Sequence, residues 1–505
     1  MIDRAAVVNN AKYLRNVRPI DPDELVDYVE GSAHPGVVRR ILREEAFDLG
    51  LFERSDGTFV PVEDGAVRPA RWQPESFPEP YTFTVEELLV GQYGPDWHLG
   101  ESGDRLRTAI DRLKADYFHG NEVTYGEDAA FGYAIYHLPD YYAVMGYVLE
   151  ELADPGYLPR RLRVLDVGAG TGGPALGLCD YLFGRPDADP TDSPESTNGS
   201  GSTTESADTP GPIVDYHAVE PSATADLLEA LLEETDRNFR TEIHRERIED
   251  LDPATLVSGD DTAGWDLVIF GNVLSELQTP RRELERGFDA LAESGSLVAL
   301  APADLETSTG LRAVERDLAG DREDATVYAP ELRLWPGAAP SDRGWSFAVA
   351  PDLEVPSFQR LLDEAAPRGP EDEPGRYVNV DVQYSYSILR RDGRRRFPIR
   401  ANGNRHARMA ESERHVTRRI DLLAVKLSEN LADGDANPLF RIGDGSQTFD
   451  HYAVLTRESG LNRTLRDAPY GSVLEFQNAL LLWNDDEEAY NLVVDGETTV
   501  DIAAA

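Results

Sequence analysis

From residue 161 onward, short apolar runs alternate with amphipathic stretches. "RLRVLDV" predicts a first strand and 173–183 the helix after it; "VDYHAVE" predicts a second strand and "TADLLEALLEET" its helix. "RTEIHRERIEDL" holds a short third strand. "WDLVIFGNVLSEL" is the fourth, followed by a helix over 280–293, and "GSLVALAP" is the fifth, followed by a helix over 308–319. "WSFAVAP" and "VQYSYSILRR" close the series as the last two strands. Strands alternating with helices imply a mainly parallel sheet covered on both faces. The expected fold class is therefore α/β, with a Rossmann-like, seven-stranded sheet over 161–397.

The flanks read differently. Residues 1–62 carry helical patches at 5–16, 22–30 and 35–49, with Asp21 as an N-cap and Pro22 in the first turn. "LFERSDGTFVPV" then predicts a hairpin about Asp56-Gly57, completing a winged-helix-like start. Residues 63–160 are a Pro-rich linker and a helical region whose tyrosines, in "YAIYHLPDYYAVMGYVLEEL", read as packing. Residues 184–212 are nearly free of apolar side chains and predict a disordered surface insertion. A basic linker over 398–415 leads to 416–505, whose short strands and turn signals predict a small β-barrel, OB-like by preference.

Charge changes little about partners. The net charge is −44, and Lys12, Lys114 and Lys426 are the only lysines. Acids spread along the whole chain read as halophilic adaptation rather than as repulsion of nucleic acid. The single cysteine, Cys179, excludes an internal disulfide, a cysteine zinc finger and an all-cysteine iron–sulfur site. It reads as a core residue, and no metal site is expected. No stretch approaches the length of a membrane span, and the N-terminus lacks a signal-peptide core, so a cytoplasmic protein with no membrane partner is expected.

The candidate chemistry sits in "VLDVGAGTGGPALGL", 164–178. Gly168, Gly170 and Gly173 fit the dinucleotide pattern G-x-G-x-x-G, while Asp166, Gly168, Gly170 and Gly172 fit a methyltransferase loop. A carboxylate at Asp166 opposes a pyrophosphate but suits a sulfonium or an α-ammonium. Glu220, ending the second strand, suits two ribose hydroxyls. Glu249 and Asp250, after the third strand, suit an adenine amino group. Together these favour S-adenosylmethionine over a nicotinamide, with a sheet that has lost its ligand as the bland alternative. After the fourth strand, Asn272 is a candidate for the methionine moiety or the substrate, and Asn272 and Glu276 are weak catalytic candidates.

Four stretches resemble the mitochondrial small-ribosomal-subunit (Rsm-type) methyltransferase-like assembly factors, which have bacterial and archaeal relatives. They are "AIYHLPDYYAVMGYVLEEL", "VLDVGAGTGG" with "HAVEPS", "DLVIFGNVLSEL", and "YAPELRLWPGAAPSDRGWSF" with "VQYSYSILRRDGRRRF". The resemblance covers about 125–397 and implies S-adenosylmethionine as cofactor and small-subunit ribosomal RNA, or its assembly precursor, as partner. It also implies a cysteine cluster over 328–345, in some members an iron–sulfur site. No cysteine stands there, so no cluster is expected, and packing about Trp335, Trp345 and Phe347 is expected instead. Ala301 stands where the family usually has an acid.

Local charge reversal supplies the nucleic-acid candidates. Residues 390–419 hold eleven arginines and three acids. Arg390, Arg391, Arg394, Arg395, Arg396, Arg400, Arg405 and Arg408 are candidate phosphate contacts. The alternative is a basic strip paired with the protein's own acids. Phe440, Phe449 and Tyr452 are candidate base platforms or core residues. The sequence thus predicts a methyltransferase-like protein acting on small-subunit ribosomal RNA. A non-catalytic assembly factor holding the cofactor structurally, or a small-molecule methyltransferase, are the alternatives. The oligomeric state is not legible.

Overall fold

Capping and turn residues at the chain's start show how local chemistry sets its elements. Asp3 accepts from the Ala5 amide and opens α1 (Arg4–Leu14); Asp21 accepts from the Asp23 amide and, with Pro22, opens α2 (Pro22–Leu25). α3 (Pro35–Glu44) and α4 (Ala46–Leu49) follow, and left-handed Gly50 stops α4. Asp56 then turns the chain between β1 (Leu51–Glu53) and β2 (Phe59–Pro61), which pair antiparallel with Leu51 opposite Pro61. Val7, Leu25, Val38, Leu42 and Phe59 form this segment's core. The patch expected at 35–49 is divided at Glu45, and the one at 22–30 is an α-turn followed by a 3-10 turn ending at Tyr28.

The computed structural model describes residues 3–29, 34–119, 126–184, 210–257, 264–336, 345–368, 374–434 and 436–504. Most of the 184–212 insertion and part of the 328–345 stretch lie outside them. Two units form, Met1–Leu267 with Pro351–Val382, and Val268–Ala350 with Gln383–Ala505.

In the first unit, α5 (Glu79–Tyr93), α6 (Gly100–His119) and α7 (Glu127–Ala153) make up the helical region. Nineteen of the 27 residues of α7 are buried, which is why its aromatic residues show no polar face. β3 (Arg161–Val167), β4 (Ile213–Val219) and β5 (Phe239–His244) run parallel, with α8 (Gly173–Phe183) and α9 (Thr224–Leu232) as crossovers. α8 lies hard against α7. A Cβ on Gly177 would stand 2.3 Å from the Tyr142 carbonyl oxygen, and one on Gly173 2.9 Å from Tyr141 Cβ. At the same contact, Asp180 is buried and accepts from Tyr81 (2.8 Å) and Tyr142 (2.9 Å).

β6 (Trp265–Gly271) leads into the second unit. There α10 (Pro280–Asp289), β7 (Leu291–Pro302), α11 (Leu305–Asp321), β8 (Thr326–Ala329), β9 (Ala348–Ala350) and β10 (Val382–Arg390) follow. The sheet order is β5-β4-β3-β6-β7-β10-β8, so the doubly wound order reverses after β3. β10 runs antiparallel to both β7 and β8.

Three expectations need correction. The sheet has eight strands, not seven, because β9 also pairs with β10. The strand ending the main path is "TVYA", not "WSFAVAP", which contributes only 348–350 at the side. Four residues closed off by Ala329-Pro330 are too short to show periodicity. The helix after β6 also stops at Asp289, and β7 takes over from Leu291.

The C-terminal strands are β11 (Arg419–Lys426), β12 (Leu439–Gly443), β13 (His451–Leu455), β14 (Val473–Asn484), β15 (Ala489–Val494) and β16 (Thr499–Ala504). Their order is β11-β12-β13-β15-β14, and β11 pairs back onto β14, closing a five-stranded barrel with β16 outside it on β14. β13 and β15 pair parallel, and a one-turn helix, Thr464–Asp467, precedes β14. This is the winding of an OB-type barrel. Phe440 is 1% exposed in the barrel core, so it is not a stacking platform. Among the described residues no helix is long and apolar enough to cross a membrane.

Candidate functional site

β3 is buried at every position after Arg161, and Asp166 is carried inside with its apolar neighbours Val164, Leu165 and Val167. Its Oδ2 accepts from the Tyr216 hydroxyl on β4 at 2.6 Å, while Oδ1 is buried without a hydrogen-bond partner. Burial raises the carboxyl group's pKa to about 7; the tyrosine bond opposes that rise and the nearby Glu220 charge adds to it. Burial, with Asp166 beside it, likewise pushes the Tyr216 phenol well above its usual value.

Beyond β3 the chain turns through Gly168, Gly170 and Gly172 with φ of 66°, 56° and 92°. These are left-handed conformations that favour glycine. Gly168 donates to the Val219 carbonyl at 2.8 Å. Gly170 donates to Glu220 Oε2 at 2.8 Å, and Ser222 donates to Oε1 at 2.9 Å. One buried carboxylate therefore ties the turn after β3 to the turn after β4. The glycines divide their work. A Cβ on Gly172 would meet Leu228 Cδ1 at 2.6 Å, whereas Gly173 faces α7 and serves helix packing.

Above the turn sits a residue that the sequence reading assigned to packing. Tyr133 Cε1 lies 3.6 Å from where a Gly170 Cβ would stand. The His137 ring is 5.1 Å from that of Tyr133 and stacks on Tyr141 at 5.2 Å with an 8° tilt. Their spacing of four residues along α7 was the available signal. The other candidates of this unit lie on a 3-10 turn, Ile248–Asp250, where Glu249 pairs with Arg247 and Asp250 is exposed.

In the second unit, Asn272 follows β6 with φ 59°, 5% exposed, its side-chain Nδ2 buried without a hydrogen-bond partner while its backbone N–H donates to the Leu300 carbonyl. A non-glycine residue held there is strained, a feature that clusters at binding sites. Glu276 closes the 3-10 turn Leu274–Glu276, and Ala301 lies on β7 opposite Ser385.

The arginines are mostly engaged within the fold. Arg390 is 1% exposed and bonds Asp392, Ser296 and the Ser294 carbonyl, so it is corrected from a phosphate contact to a structural residue. Arg391 pairs with Asp324, Arg394 with Asp392, Arg395 with Glu331 and Arg405 with Glu475. Arg400 donates to the Arg333 carbonyl; Arg396 lies over Phe397 and Arg408 over Trp335. Trp335 packs with Leu332, Phe397 and Val425 and donates to Asp444 at 2.6 Å. Trp345 is 44% exposed against Phe347 and lies outside the Trp335 cluster, which corrects the expectation that the three residues pack together.

A turn rimmed by two buried carboxylates, one with an unused acceptor, disfavours a pyrophosphate and suits a cation-bearing ligand. At their own positions the left-handed glycines also keep the turn free of side chains. The residues present therefore fit S-adenosylmethionine.

Comparison with known proteins adds the following. The family described as "Domain of unknown function (DUF8157) N-terminal domain" matches residues 4–55, and its C-terminal domain matches 410–503. No curated protein sequence matches the chain. Among solved structures, the chain is similar to an O-methyltransferase family protein from Burkholderia thailandensis at 13% identity. That match covers 77% of this chain and 94% of the other, with a TM-score of 0.25. The O-methyltransferase NcsB1 of neocarzinostatin biosynthesis, bound to S-adenosylmethionine, matches at 14% identity over 77% and 94%, with a TM-score of 0.27. An rRNA methylase from Streptococcus thermophilus matches at 13% identity over 46% and 86%, with a TM-score of 0.22.

Proposed function

We propose that this protein is an S-adenosylmethionine-dependent methyltransferase. The observation that carries the reading is Asp166, a buried carboxylate with one oxygen unpartnered at the end of β3. Asp166 faces the donor's positive end, the Gly168–Gly172 turn admits it by close backbone approach, and Glu220 serves the ribose. When bound, the donor supplies a sulfonium methyl for in-line displacement. The protein's own contribution is alignment and exclusion of water.

The acceptor is small-subunit ribosomal RNA or its precursor in this reading. The Rsm-type resemblance over 125–397 supports it, as do Arg394, Arg405 and Arg414, whose side chains stay 58%, 58% and 74% exposed. The net charge of −44 supports a halophilic source. A non-catalytic assembly factor that keeps the cofactor as a structural ligand is the second reading, favoured by Ala301 where the family usually has an acid. Transfer of labelled methyl from S-adenosylmethionine to small-subunit particles separates the two. Donor binding without transfer selects the second, and transfer to a small molecule instead assigns a different acceptor.

A further inference from the structure

Strand alternation puts His217 on the face of β4 opposite to Tyr216, and so opposite to the face that serves Asp166. On that face the parallel register sets His217 directly across from Glu242 on β5, and His244 follows two residues later. We propose that His217, Glu242 and His244 form a binding site for a divalent metal of the zinc type, fastening edge strand β5 to β4.

One ligand atom from each of the three residues lies within 4.8 Å of the others. His217 Nδ1 and His244 Nε2 face each other at 3.0 Å. Two zinc–nitrogen bonds of about 2.0–2.1 Å at a tetrahedral angle separate their nitrogens by about 3.3–3.4 Å. A few tenths of an ångström of opening therefore converts the imidazole pair into two ligands.

The second observation is on the far side of the His217 ring. His217 is 2% exposed, and its Nε2 is buried without a hydrogen-bond partner, 3.5 Å from Asp215 Oδ2. A metal on Nδ1 places the remaining proton on Nε2, directed at that carboxylate, the usual outer partner of a metal-bound histidine. Trp265 holds the ring edge-on at 5.2 Å. Glu242 is exposed and supplies the third ligand, leaving the fourth position to water.

Arg240 decides between kinds of cation. It lies 3.7 Å from Asp215 and 4.0 Å from Glu242 and donates to the Glu44 carbonyl. Its charge disfavours an ion held by carboxylates alone, such as magnesium, whereas paired imidazoles select zinc, cobalt or nickel. The sequence showed no such set because strand pairing, not spacing, brings the residues together.

The test uses the full chain, freed of metal by a chelator, in molar potassium chloride with excess magnesium. Cobalt(II) is titrated first, then zinc. The expected result is one equivalent of cobalt with the visible absorption of a four-coordinate nitrogen-bearing site, displaced by zinc. Zinc also raises the melting temperature of the wild type but not of His244→Ala, a half-buried position at the strand end. Asp215→Asn weakens zinc about 10- to 100-fold. Because circular dichroism checks the fold of each variant, the proposal is overturned by absence of saturable cobalt absorption in the wild type. It is equally overturned by folded His244→Ala binding zinc as tightly as the wild type.

Discussion

The Tyr216 hydroxyl bonds one oxygen of Asp166 at 2.6 Å and leaves the other buried with nothing to accept from. A neutral fold element has no use for such a carboxylate, whereas a cationic ligand does. Its pKa of about 7, against an ordinary 3.8, is the measurable consequence. The raised value means the fold favours the protonated form. The stabilisation this gives is fully present below about pH 4 and is lost as pH rises through about 7. A cationic donor favours the ionised form instead. Donor affinity therefore rises as pH climbs through about 7, with up to one proton released on binding below that value. Calorimetry in buffers of different ionisation heat measures the proton, and pH-independent binding would contradict the assignment.

Glu220 joins two turns through the amides of Gly170 and Ser222. Glu220→Gln keeps one acceptor and loses the charge. Hydrogen bonds to charged groups contribute about 1.5–3 kcal/mol, so donor affinity is expected to fall roughly 10- to 100-fold. Equilibrium dialysis with labelled donor checks it. Unchanged affinity would remove Glu220 from the site.

The contact between α7 and α8 depends on the absence of a side chain. Gly177→Ala puts a Cβ 2.3 Å from a backbone oxygen that has no flexible end to yield. Overpacking of this kind costs about 1–3 kcal/mol or more. Gly310→Ala serves as comparison, because among the described residues no atom lies within 4 Å of its Cβ position and its φ is not left-handed. Urea unfolding midpoints separate the two, with a larger loss expected at Gly177.

Arg390 tests whether the basic segment is one functional surface. Its guanidinium is buried against Asp392 and Ser296. Arg390→Ala leaves the partly buried Asp392 with less compensation, and breaking a buried pair costs about 3–5 kcal/mol. Thermal melting is expected to drop. Arg394→Glu and Arg414→Glu, at exposed positions, are expected to leave melting nearly unchanged while lowering RNA affinity and its salt dependence. The reverse pattern would remove the RNA acceptor from the proposal.

The residues that carried most meaning in the sequence were those with unusual local requirements. Asp166 with its glycines and Glu220 marked a tight turn after β3, and the left-handed backbone angles of Gly168, Gly170 and Gly172 explain the glycines. The barrel was legible because turn signals separate short strand-like runs, of which β13 and β15 alternate. Very short elements and helix-to-strand boundaries were not. β8 has four residues, and β7 begins inside a stretch that reads as the end of a helix. The arginines illustrate another limit. A run of charge shows its sign but not its partners, and folding brings Asp289, Asp324, Glu331 and Glu475 near it from distant positions. Tyr133 was visible only as one aromatic among many until α7 was set beside the Gly170 turn.

Titration of S-adenosylmethionine into the folded full-length protein, in molar potassium chloride at pH 8, against Asp166→Asn under the same conditions, tests the central claim most directly. Saturable binding near one equivalent, weakened roughly tenfold or more by the substitution, is the predicted result. A folded wild type that gives no heat with the donor or its demethylated product, or a variant that binds as tightly as the wild type, would contradict it.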